Sequence, residues 1–303
     1  FCTLLRKTSI EMNLSPLDPA PSSSPSVPVA ASSDERGLVN EDRQRTVAGG
    51  LTGPSRSASG ILLRSVPQDV LVGVHGSDPI SFESNHVHKV YDVIASHFSS
   101  TRYKPWPRVR EFVESLPLGS FMADIGCGNG KNLAITDKIS SFGCDMCEAL
   151  VRIASGQHLE VSQSDALRTP YRNGCMDAAI SIAVIHHFST NERRVASILE
   201  LIRIVKDGGA VLIYVWAREQ PKKRCEEASN GDVMIPWEVH KKFDEGETIH
   251  ERYYHLFRKG ELESLCTTDK RIQAVASVES SYFDKENWCV ILRVKREKPL
   301  VTQ

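Results

Sequence analysis

The stretch "FMADIGCGNG", residues 121–130, runs from an apolar segment through an acid, Asp124, into three closely spaced glycines, Gly126, Gly128 and Gly130. An apolar run ending in such a loop reads as the first strand of a parallel sheet. The loop then lies at the carboxyl end of the strands, where open α/β sheets bind ligands. Glycine there allows backbone angles that other residues avoid and lets a ligand approach the main chain. The dinucleotide fingerprint G-x-G-x-x-G does not fit, because its third glycine would fall on Lys131. The pattern is D-x-G-x-G-x-G, and an acid ahead of the loop repels phosphate and suits a cation.

Around this stretch the chain alternates between strand and helix patterns. "HVHKVYDVIASHF" carries Val87, Tyr91, Ile94 and Phe98 at helical spacing. "PRVREFVESL" (107–116) predicts a second helix with Pro107 at its start. Downstream, "KISSFGCD" ends in a strand, "MCEALVRIAS" is helical, and "LEVSQSD" (159–165) is a strand. "MDAAISIAV" (176–184) and "AVLIYVWA" (210–217) are continuous apolar runs, as strands buried on both faces are. Between them "STNERRVASILELIRIVKDGG" predicts a helix with Ser189 and Glu192 in capping-box spacing and Gly208-Gly209 at its end. Lys131 reads as the first residue of a helix after the glycine loop. The part from 218 onward is less regular, with a helix over 259–266 and strands in "RIQAVASVESS" and "NWCVILRVKRE" that could pair as an antiparallel hairpin at the sheet edge. The pattern implies a doubly wound parallel sheet.

Two further acids stand at strand ends. Asp145 closes the second strand, where a carboxylate can take both hydroxyls of a ribose. Asp165, followed by Ala166, closes the third, where it can meet an adenine amino group. A glycine loop followed by three acids at three strand ends points to S-adenosylmethionine, which carries an ammonium, a sulfonium and no phosphate. Asp124, Gly126, Cys127, Gly128, Asn129, Gly130, Asp145, Met146, Asp165, Ala166 and Ile182 are the expected cofactor-binding residues.

The bulk numbers allow this. The chain has 303 residues, 41% of them hydrophobic, and a net charge of −1, which argues against non-specific coating of nucleic acid. No run approaches the roughly 18 apolar residues of a membrane span. The eight cysteines lie mostly in apolar or motif segments and read as reduced thiols of an intracellular protein, cytoplasmic or nuclear. The single CxxC, Cys144 to Cys147, lacks a second pair, so no metal site is expected. Residues 13–83 contain a Ser/Pro/Ala-rich segment too polar to offset its ordering entropy and are expected to be a disordered linker. Residues 1–12 open on Phe and read either as the end of an upstream domain or as a terminus without meaning. Residues 84–298 are expected to form the folded, cofactor-binding domain, and 299–303 a tail.

Six blocks are more specific: "HVHKVYDVIASHFSSTRYKPWPRV" (86–109), "ADIGCGNGKNL" (123–133), "ISIAVIHHFSTNERRV" (180–195), "LIYVWAREQ" (212–220), "RYYHLFRKGEL" (252–262) and "NWCVIL" (287–292). Residues 84–295 resemble class I S-adenosylmethionine-dependent methyltransferases. Within them the blocks resemble the eukaryotic tRNA wobble-uridine carboxymethyl methyltransferases, which occur alone or fused behind an AlkB-type dioxygenase. The linker and "FCTLLRKTS" (1–9) fit the fused form. The resemblance implies a Rossmann-like seven-stranded sheet flanked by helices, with the last strand inserted antiparallel. It implies methyl esterification of 5-carboxymethyluridine in the tRNA anticodon loop, and a small zinc-binding activator subunit as partner. An exposed apolar edge near 176–216 is the expected docking surface.

A carboxylate is ionised at neutral pH and needs no general base, so positioning carries the rate. His186 and Arg102 are the expected catalytic, substrate-positioning residues, and Tyr103, His187, Arg193, Arg252 and Tyr253 the expected substrate-binding ones. Two other readings share the fold: a small-molecule methyltransferase, and a catalytically silent paralogue serving as a binding module.

Overall fold

The computed structural model describes residues 64–65, 78–219, 230–238 and 249–296. The expected remnant at 1–12, the tail at 299–303 and most of the expected linker lie outside the described residues. Its last residues are not linker. Asp78 caps helix α1 (Pro79–Glu83) by accepting from the Ser81 amide. A π-helical stretch, Ser84–His88, then leads into α2 (Lys89–Ser100). On this face Val87 and Ile94 are buried, as the spacing predicts. Helix α3 (Pro107–Glu114) starts on its proline.

A seven-stranded sheet forms the centre. In chain order its strands are β2 (Phe121–Ile125), β3 (Ser140–Asp145), β4 (Val161–Gln163), β5 (Met176–Ile182), β6 (Val205–Trp216), β9 (Ala276–Asp284) and β10 (Asn287–Val294). Across the sheet they run β4-β3-β2-β5-β6-β10-β9. The pairs from β4 to β6 are parallel, and β10 is antiparallel to both β6 and β9. This is the topology the resemblance implies, with the last strand inserted antiparallel. Helices α4 (Glu148–Ser155) and α5 (Asn191–Ile204) flank the sheet, and α6 (Glu261–Thr268) and α7 (Lys270–Gln273) precede β9. Both sheet faces are covered. Ile198, Leu201 and Ile204 of α5 pack over Ala179, Val211 and Ile213, while Val109 and Val113 of α3 join Met122, Ile180 and Tyr214 on the other core cluster.

Several local expectations are corrected. The cap of α5 is Thr190, whose hydroxyl accepts from the Arg193 amide, because Ser189 gives both its amide and hydroxyl hydrogens to Glu83. The same helix ends at Ile204, not at Gly208-Gly209. Its last carbonyls are taken by the Arg296 guanidinium, which donates to Ile202, Arg203 and Val205. Gly209 instead lets the chain pass Asp177, since a Cβ there would lie 2.5 Å from the Asp177 carbonyl oxygen. "RIQ" is the body of α7, capped by Asp269, and the strand begins later. Turns follow Gly130 in place of the helix expected to start at Lys131. No large exposed hydrophobic side chain among the described residues falls within 176–216. The strands of that range are central and covered on both faces, so the expected apolar edge is absent there.

A second, three-stranded antiparallel sheet stands apart from the sequence expectation. It consists of β1 (Arg64–Ser65), β7 (Asp232–Glu238) and β8 (Ile249–His255). Tyr253 in β8 donates to Asp232 at 2.6 Å and receives from Arg194, tying this sheet to α5. Glu83 makes a further tie. Its buried carboxylate takes two hydrogen bonds from Ser189 and a bidentate pair from Arg193.

Candidate active site

A cleft opens at the carboxyl ends of β2, β3 and β5, roofed by α2 and the small sheet. Its floor is the glycine loop. Gly126, Gly128 and Gly130 all have positive φ. A Cβ on Gly126 would lie 2.3 Å from Val184 Cγ2, and one on Gly130 would lie 2.4 Å from Leu159 Cδ1. These two glycines allow close internal packing. A Cβ on Gly128 would meet nothing within 4 Å, so the middle glycine, which lines the cleft, has open space beside it.

Asp124 lies near the end of β2, Asp145 ends β3, and Asp165 lies two residues past β4 instead of closing it. Asp145 accepts from the Gly128 amide at 2.8 Å through one oxygen and from the Cys147 amide at 2.9 Å through the other, which ties the loop to the second strand. Burial pushes its carboxyl above the ordinary range. Asp165 accepts from the Leu167 amide and lines the cleft beside Ala166. Asp124 is fully buried below the loop. One of its oxygens accepts from Asn132, and the other has no partner among the described residues. Burial lifts it to about 7. Cys127, Met146 and Ile182 also line the cleft. Asn129 lines it as well, but its side-chain amide points away, donating to Ser99 and to the Arg102 carbonyl.

These groups fit S-adenosylmethionine. A half-satisfied buried carboxylate stands under the loop, a glycine with open space beside it lines the cleft, and two more carboxylates stand at or just past successive strand ends. The described residues contain no group of side chains arranged to hold a metal ion. Cys144 and Cys147 are buried free thiols, and burial pushes both up to about 12.

The opposite wall is aromatic and cationic: Tyr91, Phe98, Arg102, Trp106, Lys131, His187, Trp216 and Tyr254. The Arg102 guanidinium lies 4.7 Å from the Phe98 ring and, among the described residues, hydrogen-bonds to Thr101 alone. Lys131, set aside from the site on sequence grounds, lies over Trp106 at 5.1 Å, and burial lowers its pKa.

His187 faces the cleft, and its protonation follows from its partners. Nδ1 lies 2.9 Å from the Tyr253 carbonyl, which can only accept, so Nδ1 carries the hydrogen. Nε2 then accepts from the Tyr91 hydroxyl at 3.1 Å. Burial pushes the ring down to about 3, so it is neutral.

His186, expected to position substrate, is not at the cleft. It is fully buried, accepts from the Trp216 amide through Nδ1 and stacks on Tyr254. The short helical turn Ile185–His187 sends the first histidine inward and the second outward. Tyr253 is likewise a core residue, since it points at Asp232 while its neighbour Tyr254 faces the cleft. Arg193 is committed to Glu83. Tyr103 is exposed and outside the cleft lining. Arg252 is buried behind Tyr91 and Tyr254. Tyr91 and Phe98 were missed because a helical stripe of aromatics reads as core, and Trp106 because it lies between helices, just ahead of α3. Strand alternation, which sets 252 and 254 on one face and 253 and 255 on the other, was the available signal for Tyr254.

Comparison with known proteins agrees with this geometry. The methyltransferase domain family matches residues 123–213. The tRNA (carboxymethyluridine(34)-5-O)-methyltransferase of Schizosaccharomyces pombe is 44% identical over 228 residues, covering 70% of this chain and 97% of that protein. The tRNA (carboxymethyluridine(34)-5-O)-methyltransferase alkbh8 of Xenopus tropicalis is 40% identical over 262 residues, covering 70% of this chain and 41% of its own length. The chain thus spans less than half of the frog relative. Among solved structures, a methyltransferase from Methanosarcina mazei superposes with a TM-score of 0.50 at 17% identity, covering 64% of this chain and all of that one, which speaks for the fold alone.

Proposed function

The chain belongs to the tRNA (carboxymethyluridine(34)-5-O)-methyltransferase family, and on that footing we propose that it esterifies the carboxylate of 5-carboxymethyluridine at the tRNA wobble position to 5-methoxycarbonylmethyluridine. The observation that carries the reading is the polarity of the cleft. One side holds Asp145 and Asp165, with the buried Asp124 beneath the loop, and the other holds Arg102, which pairs with no carboxylate among the described residues, while Lys131 lies between Arg102 and Asp124. A cation-binding half and an anion-binding half facing each other suit a cationic cofactor and a carboxylate substrate.

Asp124, the glycine loop, Asp145 and Asp165 would hold S-adenosylmethionine, which when bound supplies a methyl group on a positively charged sulfur. The chain's own residues have a limited task. The substrate carboxylate is already ionised at neutral pH, so no side chain need remove a proton. Arg102 attracts and orients that carboxylate. Phe98, Trp106, Trp216 and Phe188 give the cleft apolar walls that keep water from competing. His187, held neutral, adds no charge of its own beside the nucleophile. Aromatic faces beside a cation also suit an unstacked base of a single-stranded RNA loop. A small zinc-binding activator subunit belongs to the same proposal on the strength of the family resemblance. No described helix is long and apolar enough to cross a membrane.

The test is methyl transfer from labelled S-adenosylmethionine to tRNA carrying 5-carboxymethyluridine, with and without the activator, followed by mild alkali. Label released by alkali is the expected result and marks an ester. Alkali-stable label means base or ribose methylation and refutes the substrate. No transfer, with cofactor still bound, favours the silent binding module.

A further inference from the structure

We propose that Arg252, acting across the phenols of Tyr91 and Tyr254, adds to Arg102 the charge by which the substrate half of the cleft prefers a carboxylate over its neutral amide. This deepens the esterification reading and rests on it.

Arg252 is 2% exposed, and no carboxylate pairs with it among the described residues. Arg194, the other buried arginine there, lies 3.7 Å from Asp232. The Arg252 Nε hydrogen has no acceptor among the described residues, and Nη1 donates to the Tyr91 hydroxyl at 3.3 Å. Three rings surround the guanidinium, with centroids 4.7 Å (Trp237), 5.3 Å (Tyr254) and 5.5 Å (Tyr91) away. Ring faces stabilise a cation without cancelling its charge. A buried charge without a counter-ion is costly, and its field is weakly screened. The fold therefore keeps a net positive centre just behind the cleft wall.

The hydrogen-bond directions show how that charge reaches the cleft. The Nδ1 hydrogen of His187 is spent on the Tyr253 carbonyl, so the Tyr91 hydrogen goes to His187 Nε2. Tyr91 oxygen is then an acceptor only. It receives from Arg252 and, at 3.2 Å, from the Tyr254 hydroxyl. Both phenols line the cleft, and both of their hydrogens are committed inside the network. Neither is left to recognise an amide or an acid by its own O–H. What distinguishes the two at this wall is charge, supplied by Arg252 one phenol away and by Arg102 at the cleft itself. Trp237 packs near both guanidiniums, 5.5 Å from Arg102 and 4.7 Å from Arg252, so the two cations belong to one subsite. A carboxylate entering it meets the counter-charge that the fold leaves out. A carbamoyl group of the same shape does not supply that charge.

The experiment measures binding of two anticodon stem-loops, one with 5-carboxymethyluridine and one with 5-carbamoylmethyluridine, to the full chain and to Arg252→Met and Arg252→Lys. Cofactor binding serves as the folding control. The wild type should prefer the acid by about tenfold or more, the range of a charge-assisted contact. Arg252→Met should lose most of that preference by weakening the acid alone, with the amide within about twofold of wild type. Arg252→Lys, which keeps the charge, should retain the preference to within about threefold. Equal loss of both ligands in Arg252→Met, or an unchanged preference, overturns the proposal and leaves Arg252 as a support for Tyr91. If Arg252→Met fails to bind cofactor, the lysine variant decides, and a folded Arg252→Lys without the preference overturns it. A wild type that does not distinguish acid from amide refutes the esterification reading itself, and this proposal with it.

Discussion

The side-chain amide of Asn129 donates to the backbone carbonyl of Arg102 at 2.8 Å, and to Ser99 as well. One residue of the glycine loop thus holds the turn that carries the substrate-side cation. Asn129→Ala should free that turn while leaving the loop backbone in place. The expected result is a rise of about tenfold in KM for the carboxylate substrate, the equivalent of one ordinary hydrogen bond lost, with cofactor affinity within about threefold. A larger loss for cofactor than for substrate would make Asn129 a cofactor ligand after all.

Asp124 should make stability and cofactor binding depend on pH in opposite directions. Its folded pKa of about 7 lies above the unfolded value near 4. Its contribution is therefore full below pH 4, falls as pH rises and is gone above pH 7, a span of about 4 kcal/mol at 1.36 kcal/mol per unit. Asp124→Asn should flatten that part of the stability curve. A cationic cofactor needs the ionised form, so its affinity should increase from pH 6 to 8 with proton release. Calorimetry in buffers of different ionisation enthalpy measures that release, and none at pH 7 would contradict the assignment.

His187 acts on the acid side. Its pKa of about 3 lies below the unfolded value near 6.5. Its contribution is complete above pH 6.5 and is lost as pH falls toward 3, by about 2 kcal/mol at pH 5. His187→Gln should remove this slope in denaturant melts. An unchanged slope would mean that other groups, such as His186, carry it.

The glycines should separate by mechanism. Gly126→Ala meets Val184 at 2.3 Å with φ at +78°. It should cost about 1–2 kcal/mol for the left-handed backbone and about 1–3 kcal/mol more for overpacking. Gly128→Ala has open space around it and should cost only the backbone part, yet weaken cofactor binding because Gly128 lines the cleft. Thermal melts with and without cofactor distinguish the two; equal melting temperatures for the variants would refute the packing account of Gly126.

The parts legible in the sequence were those carried by local chemistry. The glycine loop, the acids at 124, 145 and 165 and the apolar runs of β5 and β6 each announce themselves within a few residues. What stayed hidden depends on which way a side chain turns in three dimensions. His186 and His187 look equivalent in the chain, and one tight turn sends them to opposite sides. Tyr253 and Tyr254 are separated by strand alternation, but β8 was not recognised as a strand, so the rule had nothing to act on. Arg193 looked like a free helix-surface cation because its partner, Glu83, lies 110 positions earlier. The capping serine failed for the same reason: Glu83 takes Ser189 and leaves the cap to Thr190.

The insertion of β10 between β6 and β9 bears on the order in which the protein is made. During synthesis β2 to β6 leave the ribosome early and can pair as a parallel core, but the outer edge of β6 then has nothing to bond. Strand β9 emerges after β7, β8, α6 and α7 and does not fill that edge, because among the described strands of the sheet it pairs with β10 alone. The end of α5 waits equally long, since Arg296, just past β10, supplies the donors for its last carbonyls. The nascent chain therefore carries an open, apolar strand edge until β10 is released, the kind of edge that pairs with other chains when unprotected. A chain stalled or cut before Asn287 would keep that edge, and a chaperone that shields unpaired strands would have most to do in this interval.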